Sequence, residues 1–337
     1  MSKPNFRNIN ILLADSDACL AQAVISNLRA MGFNHVKHVK TSADAVQTIR
    51  TSATSFLITE WDLKGASGLD LVRYMRHSDD MPNRALPIIM LTGRGELSDV
   101  QHARDVGISE FVVKPFSAQT LFGRIEQIVD HPRGFVVSNG YIGPERRRRQ
   151  LGPPAGMAER RLFKPVIAPS TREALKHPPA DAPVLFAPDV ALRQAIGTNK
   201  PLSTLITAEV LKSAQKAIDV LGESSLKWIR EDIAQMDEGL KKLQQIYSPH
   251  IFEQIKAAVL SIKARSGTFG YPMASDIARL LYLFLSIEFI PTNPRHLLII
   301  DKHIQVLTVI FAQDIRVREG VGAELYNELE RLVSMHK

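Results

Sequence analysis

Over residues 9–131, short apolar runs alternate with amphipathic stretches. The runs INILLA (9–14), FLIT (56–59), IIML (88–91) and FVV (111–113) lack the polar alternation of a half-exposed strand, and a weaker run lies at 36–39. They predict parallel strands buried on both faces. Between them, 19–31, 43–51, 69–77, 98–106 and 118–129 repeat apolar residues three and four apart, the spacing of one helix face. Five such units predict a doubly wound α/β sheet, in which chemistry collects at the carboxyl ends of the strands.

The pattern then breaks. Residues 132–200 carry PPAG, HPPADAP and FAPD and read as a flexible linker rich in Pro and Arg. Helical periodicity returns from 204, without strand signals, and predicts helices at 207–221, 224–246, 249–265, 273–289, 294–316 and 322–335. Ser248-Pro249 and Asn293-Pro294 each place a capping residue before a proline that opens a helix, and Gly222 follows the first. The chain thus divides into an α/β domain (1–131), a linker (132–200) and an all-α helical bundle (201–337).

Composition agrees with soluble cores: 337 residues, 45% hydrophobic and 23% charged. The single cysteine, Cys19, rules out an internal disulfide framework and fits a reducing compartment. The opening MSKPNFRNIN has no apolar signal core, and the longest apolar run, 280–285, is far short of a membrane span. A cytoplasmic protein is expected. The net charge of +7 is local, because 132–165 holds eight basic residues against two acidic ones. An evenly basic, DNA-coating surface is therefore not expected.

Four features sit at the predicted strand ends: ADSD (14–17), ITEW (58–61) followed by Gly68, LTG (91–93) and VKPF (113–116). At these spacings residues 8–131 resemble the receiver domain of two-component response regulators, which implies a flavodoxin-like (βα)5 fold. The resemblance also implies a chemistry. An aspartate attacks a phosphoryl donor. Magnesium held by acids after strand one neutralises the phosphoryl oxygens. A lysine pairs with the product, a hydroxyl follows the new phosphate, and an aromatic ring changes rotamer. By resemblance the lysine is Lys114, the hydroxyl is Thr92, the aromatic is Phe111, and Asp15 is the first strand-one acid.

Two positions depart from that pattern. The acceptor position is Glu60, and the second strand-one acid is Ser16, with Asp17 as a substitute metal ligand one step further on. Asp62 is a rival acceptor. The family's loop glycine follows its acceptor by eight residues, however, and Gly68 lies eight after Glu60; an insertion around 78–84 absorbs the altered distance to Thr92. Misplacing a reacting atom by about 1 Å costs roughly a hundredfold in rate, so the longer glutamate should transfer slowly or not at all. The magnesium site should be weakened too. Three uses of Glu60 stay open: an ion pair with Lys114 in a static adaptor, a lasting mimic of the phosphorylated contacts, or a residual acceptor.

In the helical part, LSIKARSGTFGYP (260–272) resembles the motif of histidine phosphotransfer (Hpt) domains, over roughly 224–289. Aligned on Lys263, Gly267, Phe269 and Gly270 match, and the histidine position is Leu260, which has no nucleophilic nitrogen. Read alone, the residues predict a helix ending near 265, a reversal at the glycines and a new helix from Pro272, as an ordinary helical hairpin also would.

Arg146, Arg147, Arg148, Arg149, Arg160 and Arg161 lie between Tyr141 and Phe163. Guanidinium forks pair with phosphates and stack on bases. A cyclic dinucleotide, an acidic protein surface or anionic lipid would suit them, and so would service as a solvated basic linker. No helix-turn-helix signature points to DNA. The expectation is an atypical response regulator of a two-component system. It binds other signalling proteins (receivers, kinases, motility or development components) and catalyses nothing. The alternatives are a conventional phosphorylation switch and a cyclic-dinucleotide effector.

Overall fold

The structure is a computed structural model that describes residues 6–138, 140–146, 166–168, 184–187, 189–291 and 293–335. Contacts divide it into two compact units: Met1–Val112 with Ala118–Gln215, and Val113–Ser117 with Lys216–Lys337. The sequence predicts boundaries at 131 and 200.

The first unit is built on strands β1 (Asn10–Ala14), β2 (His35–Val39), β3 (Phe56–Thr59), β4 (Ile88–Thr92) and β5 (Glu110–Val113), in the order β2-β1-β3-β4-β5. β1 pairs in parallel with β2 and β3, and β3 with β4. Helices α1 (Ala18–Ala30), α2 (Ser42–Thr51), α3 (Gly68–His77), α4 (Leu97–Val106) and α5 (Ala118–Asp130) connect and follow them. β3 and β4 are buried at every position, as their unbroken apolar runs require. β2 is an edge strand with exposed residues, which explains its weaker signal. This is the doubly wound arrangement the sequence predicts.

The segment read as linker contains ordered structure. Strands β6 (Phe135–Ser138) and β7 (Tyr141–Pro144) form an antiparallel hairpin, and β8 (Val166–Ala168) and β9 (Val184–Phe186) complete a sheet of order β7-β6-β9-β8. Phe135, Val137, Ile142 and Phe186 form its small core with Ala85. The missed signal was Asn139-Gly140 between apolar pairs, a hairpin sequence, and Gly140 has φ +92°. The insertion around 78–84 also has a use. Buried Arg76 donates to the carbonyls of Gly107 (3.0 Å) and Arg84 (2.6 Å), while Arg84 donates back to the Arg76 carbonyl (2.7 Å). The Arg76 guanidinium lies 5.3 Å from the Phe135 ring centre. Burial lowers its pKa to about 9, which still leaves it charged at neutral pH.

Helices α6 (Ala191–Ile196), α7 (Leu202–Leu205) and α8 (Ala208–Asp219) follow. Asp130, at the end of α5, accepts from the Leu202 amide (2.7 Å) and pairs with Arg193. Asn27 of α1 donates to the Ala214 carbonyl (3.2 Å), and Gln215 accepts from the Ala118 amide (2.9 Å).

The second unit holds α9 (Gly222–Gln245), α10 (Pro249–Thr268), α11 (Pro272–Ile287), α12 (Pro294–Ala312) and α13 (Val321–Ser334). Its core runs through Ile229, Met236, Ile255, Val259, Ile262, Ile277, Leu281, Phe284, Ile300 and Leu307. Ser248 and Asn293 cap α10 and α12 ahead of their prolines. Two expectations shift. Gly222 opens α9 rather than ending the helix before it. α10 runs past 265 and through Gly267, because the left-handed residue that ends it is Gly270, φ +86°.

Candidate functional site

The site lies at the carboxyl ends of β1, β3 and β4. Backbone amides bind three of the acids there. Asp15 is buried just beyond β1, and its Oδ1 accepts from the Asp17 amide (2.8 Å). Asp17 caps α1, its Oδ1 accepting from the amides of Cys19 (2.9 Å) and Leu20 (3.1 Å). Ser16 donates its hydroxyl to the Asp62 carbonyl (3.2 Å), and His38 Nε2 lies 2.8 Å from the Asp15 carbonyl.

Glu60 follows β3 directly, and its amide donates to the Ala14 carbonyl (2.8 Å). The residue is 9% exposed, and its Oε1 turns back to accept from the Trp61 amide (2.6 Å). Gly68 fixes this register. Its amide donates to the Trp61 carbonyl (2.7 Å), and a Cβ there would lie 2.0 Å from the Glu60 carbonyl oxygen. The eight-residue interval from Glu60 to Gly68 is thus a close backbone approach.

Asp62 points elsewhere. Arg94 grips it with two bonds, Nε to Oδ2 (3.0 Å) and a terminal nitrogen to Oδ1 (2.9 Å), and lies 5.5 Å from the Trp61 ring centre. Sequence reasoning missed Arg94 and Trp61, since nothing in the chain pairs positions 32 apart. Thr92 is buried at the end of β4 and accepts from the Arg94 amide (3.3 Å). Phe111, on β5, is half-buried against the sheet core. Lys114 is buried and belongs to the segment Val113–Ser117 of the second unit.

The donor set does not fit the magnesium that the fold implies. Ser16 replaces an acid, Asp17 spends an oxygen on a helix cap, and Glu60 spends one on its neighbour's amide. Among the described residues no three His, Cys, Asp or Glu side chains converge as a metal site.

Of the anion-binding candidates, Arg146 lies over the Tyr141 ring (3.9 Å to its centre) and pairs with Asp105 (3.4 Å). Arg147, Arg148, Arg149, Arg160 and Arg161 lie outside the described residues. In the second unit Leu260 is half-buried on α10 and Lys263 buried one turn on. No described helix is long and apolar enough to cross a membrane.

The family match agrees with the geometry. Residues 11–126 match the family model described as the response regulator receiver domain. "Chemotaxis protein CheY" of Pseudomonas aeruginosa is 29% identical over 126 residues, covering 37% of this chain and 100% of that protein. "Chemotaxis protein CheY-3" of Vibrio cholerae is 27% identical over 124 residues, covering 37% of this chain and 94% of that protein. Among solved structures, CheY4 of Vibrio cholerae matches with TM-score 0.33 and 21% identity, covering 36% of this chain and 98% of its own. The HemR receiver domain of Leptospira biflexa matches with TM-score 0.32 and 23% identity, covering 36% and 93%. Sheet order, site position and family match converge on one conclusion: residues 11–126 are a response regulator receiver domain.

Proposed function

We propose that this chain is a two-component signalling protein whose receiver acts as a binding adaptor, without normal aspartyl phosphorylation. The observation that carries this reading is Glu60: the acceptor position holds a carboxylate one methylene too long, with Oε1 bound to the Trp61 amide. The neighbouring carboxylate, Asp62, is neutralised by Arg94. A phosphoryl acceptor needs an oxygen presented to the donor together with a cation on the leaving oxygens. Glu60 gives one oxygen to its neighbour's amide and Ser16 stands where the cation site would have a second acid, which favours the adaptor reading.

The helical unit is the second binding element in this reading. It is a degenerate Hpt-like bundle in which Leu260 stands where the phosphorylated histidine would be, followed by the Phe269-Gly270 turn. Partners are other signalling proteins, read by shape and charge, and the chain has no catalytic role. Incubation of the full chain with acetyl phosphate and Mg2+, followed by intact mass, tests the proposal. The expected result is an unchanged mass. A phosphoryl adduct that disappears in Glu60→Gln or Asp62→Ala would restore the conventional phosphorylation switch.

A further inference from the structure

Gly267 lies inside α10, so its backbone conformation gives no reason for a glycine there. Glycine within a helix is worse than alanine by about 1 kcal/mol. Contact supplies the reason. A Cβ at 267 would lie 2.5 Å from Cγ and 2.6 Å from Cβ of Pro115, and 2.9 Å from Ser275 Oγ. Ser275 is fixed in turn, its hydroxyl donating to the Lys263 carbonyl (2.8 Å). Pro115 therefore rests one edge of its ring in a notch between α10 and α11, with its remainder exposed. The contact is internal to the second unit, which contains both Val113–Ser117 and the helices.

We propose that the Gly267–Ser275 notch is a docking site for the chain's own Val113–Ser117 segment, through which the helical unit holds Lys114, the residue beside Pro115, in position. Any event that moves Lys114 displaces Pro115 against Gly267, and any partner that shifts the α10–α11 hairpin displaces Lys114. The coupling is reciprocal by thermodynamic necessity. It goes beyond the adaptor reading and holds whether or not Glu60 takes phosphate.

Hydrogen exchange by mass spectrometry on the full chain tests it, with Gly123→Ala as the comparison. Gly123 also lies in a helix, α5, but a Cβ there meets nothing within 4 Å. Gly123→Ala should raise Tm and leave exchange at 113–117 unchanged. Gly267→Ala should speed exchange at 113–117 by roughly tenfold, about 1.4 kcal/mol of lost docking. A Gly267→Ala variant that behaves like Gly123→Ala overturns the proposal. Should Gly267→Ala lose its helical circular dichroism, Pro115→Ala provides the reading from the other side. With Pro115→Ala, exchange across 266–275 should rise while helicity is kept, and unchanged exchange overturns the proposal.

Discussion

Arg94 holds Asp62 at two points, 3.0 Å and 2.9 Å, while lying over Trp61. This relationship ties the Asp62 carboxylate to the loop after β4, which disfavours it as the acceptor. The pair is 34% and 47% exposed, so solvent screens it, and Arg94→Ala should cost under about 1 kcal/mol in a urea melt. The same variant releases Asp62. With acetyl phosphate and Mg2+, its intact mass should still show no adduct, since the strand delivers Glu60 and not Asp62 to the site.

Restoring the family's acids should restore chemistry only in combination. Glu60→Asp alone shortens the acceptor but leaves Ser16 in the metal set. Ser16→Asp with Glu60→Asp supplies both. Adduct formation followed by intact mass should give little product for either single variant and a rate at least about a hundredfold higher for the double.

Gly68→Ala should damage the fold next to the candidate site. The added methyl collides with the Glu60 carbonyl, so the β3–α3 loop must shift. A loss of roughly 1–3 kcal/mol is expected in thermal melting.

His303 gives the helical unit a pH dependence. It is fully buried on α12, its Nδ1 is 2.8 Å from the Ile299 carbonyl, and no partner is found for Nε2. Burial pushes its pKa down from 6.5 to about 4. The folded state therefore keeps the neutral ring while the unfolded chain takes up a proton. This stability is fully present above about pH 6.5 and drains away as pH falls toward about 4, by about 3 kcal/mol in total. Urea unfolding followed by Trp228 emission in a Trp61→Phe background should lose stability between about pH 7 and about pH 5, and His303→Leu should flatten that slope.

Much of the receiver was legible because its signals are local. Buried parallel strands such as Phe56–Thr59 and Ile88–Thr92 write themselves as unbroken apolar runs, and the interval from Glu60 to Gly68 records a single backbone contact. The β6–β7 hairpin escaped because its strands are four residues each and sit in a stretch rich in Gly and Pro. Arg94 escaped because its partners come from another loop, and periodicity carries nothing about such pairs. Gly267 reads as part of a turn because sequence distinguishes poorly between a glycine that bends the chain and one that makes room. Gly270 does the bending.

A receiver that takes no phosphate should not respond to a phosphodonor. Amide exchange of the wild-type chain, with and without acetyl phosphate and Mg2+, measures this directly across the segments 91–96 and 113–117. Superimposable exchange is expected in both segments. Protection or deprotection of either on adding the phosphodonor would show a receiver that still switches, and would contradict the adaptor reading.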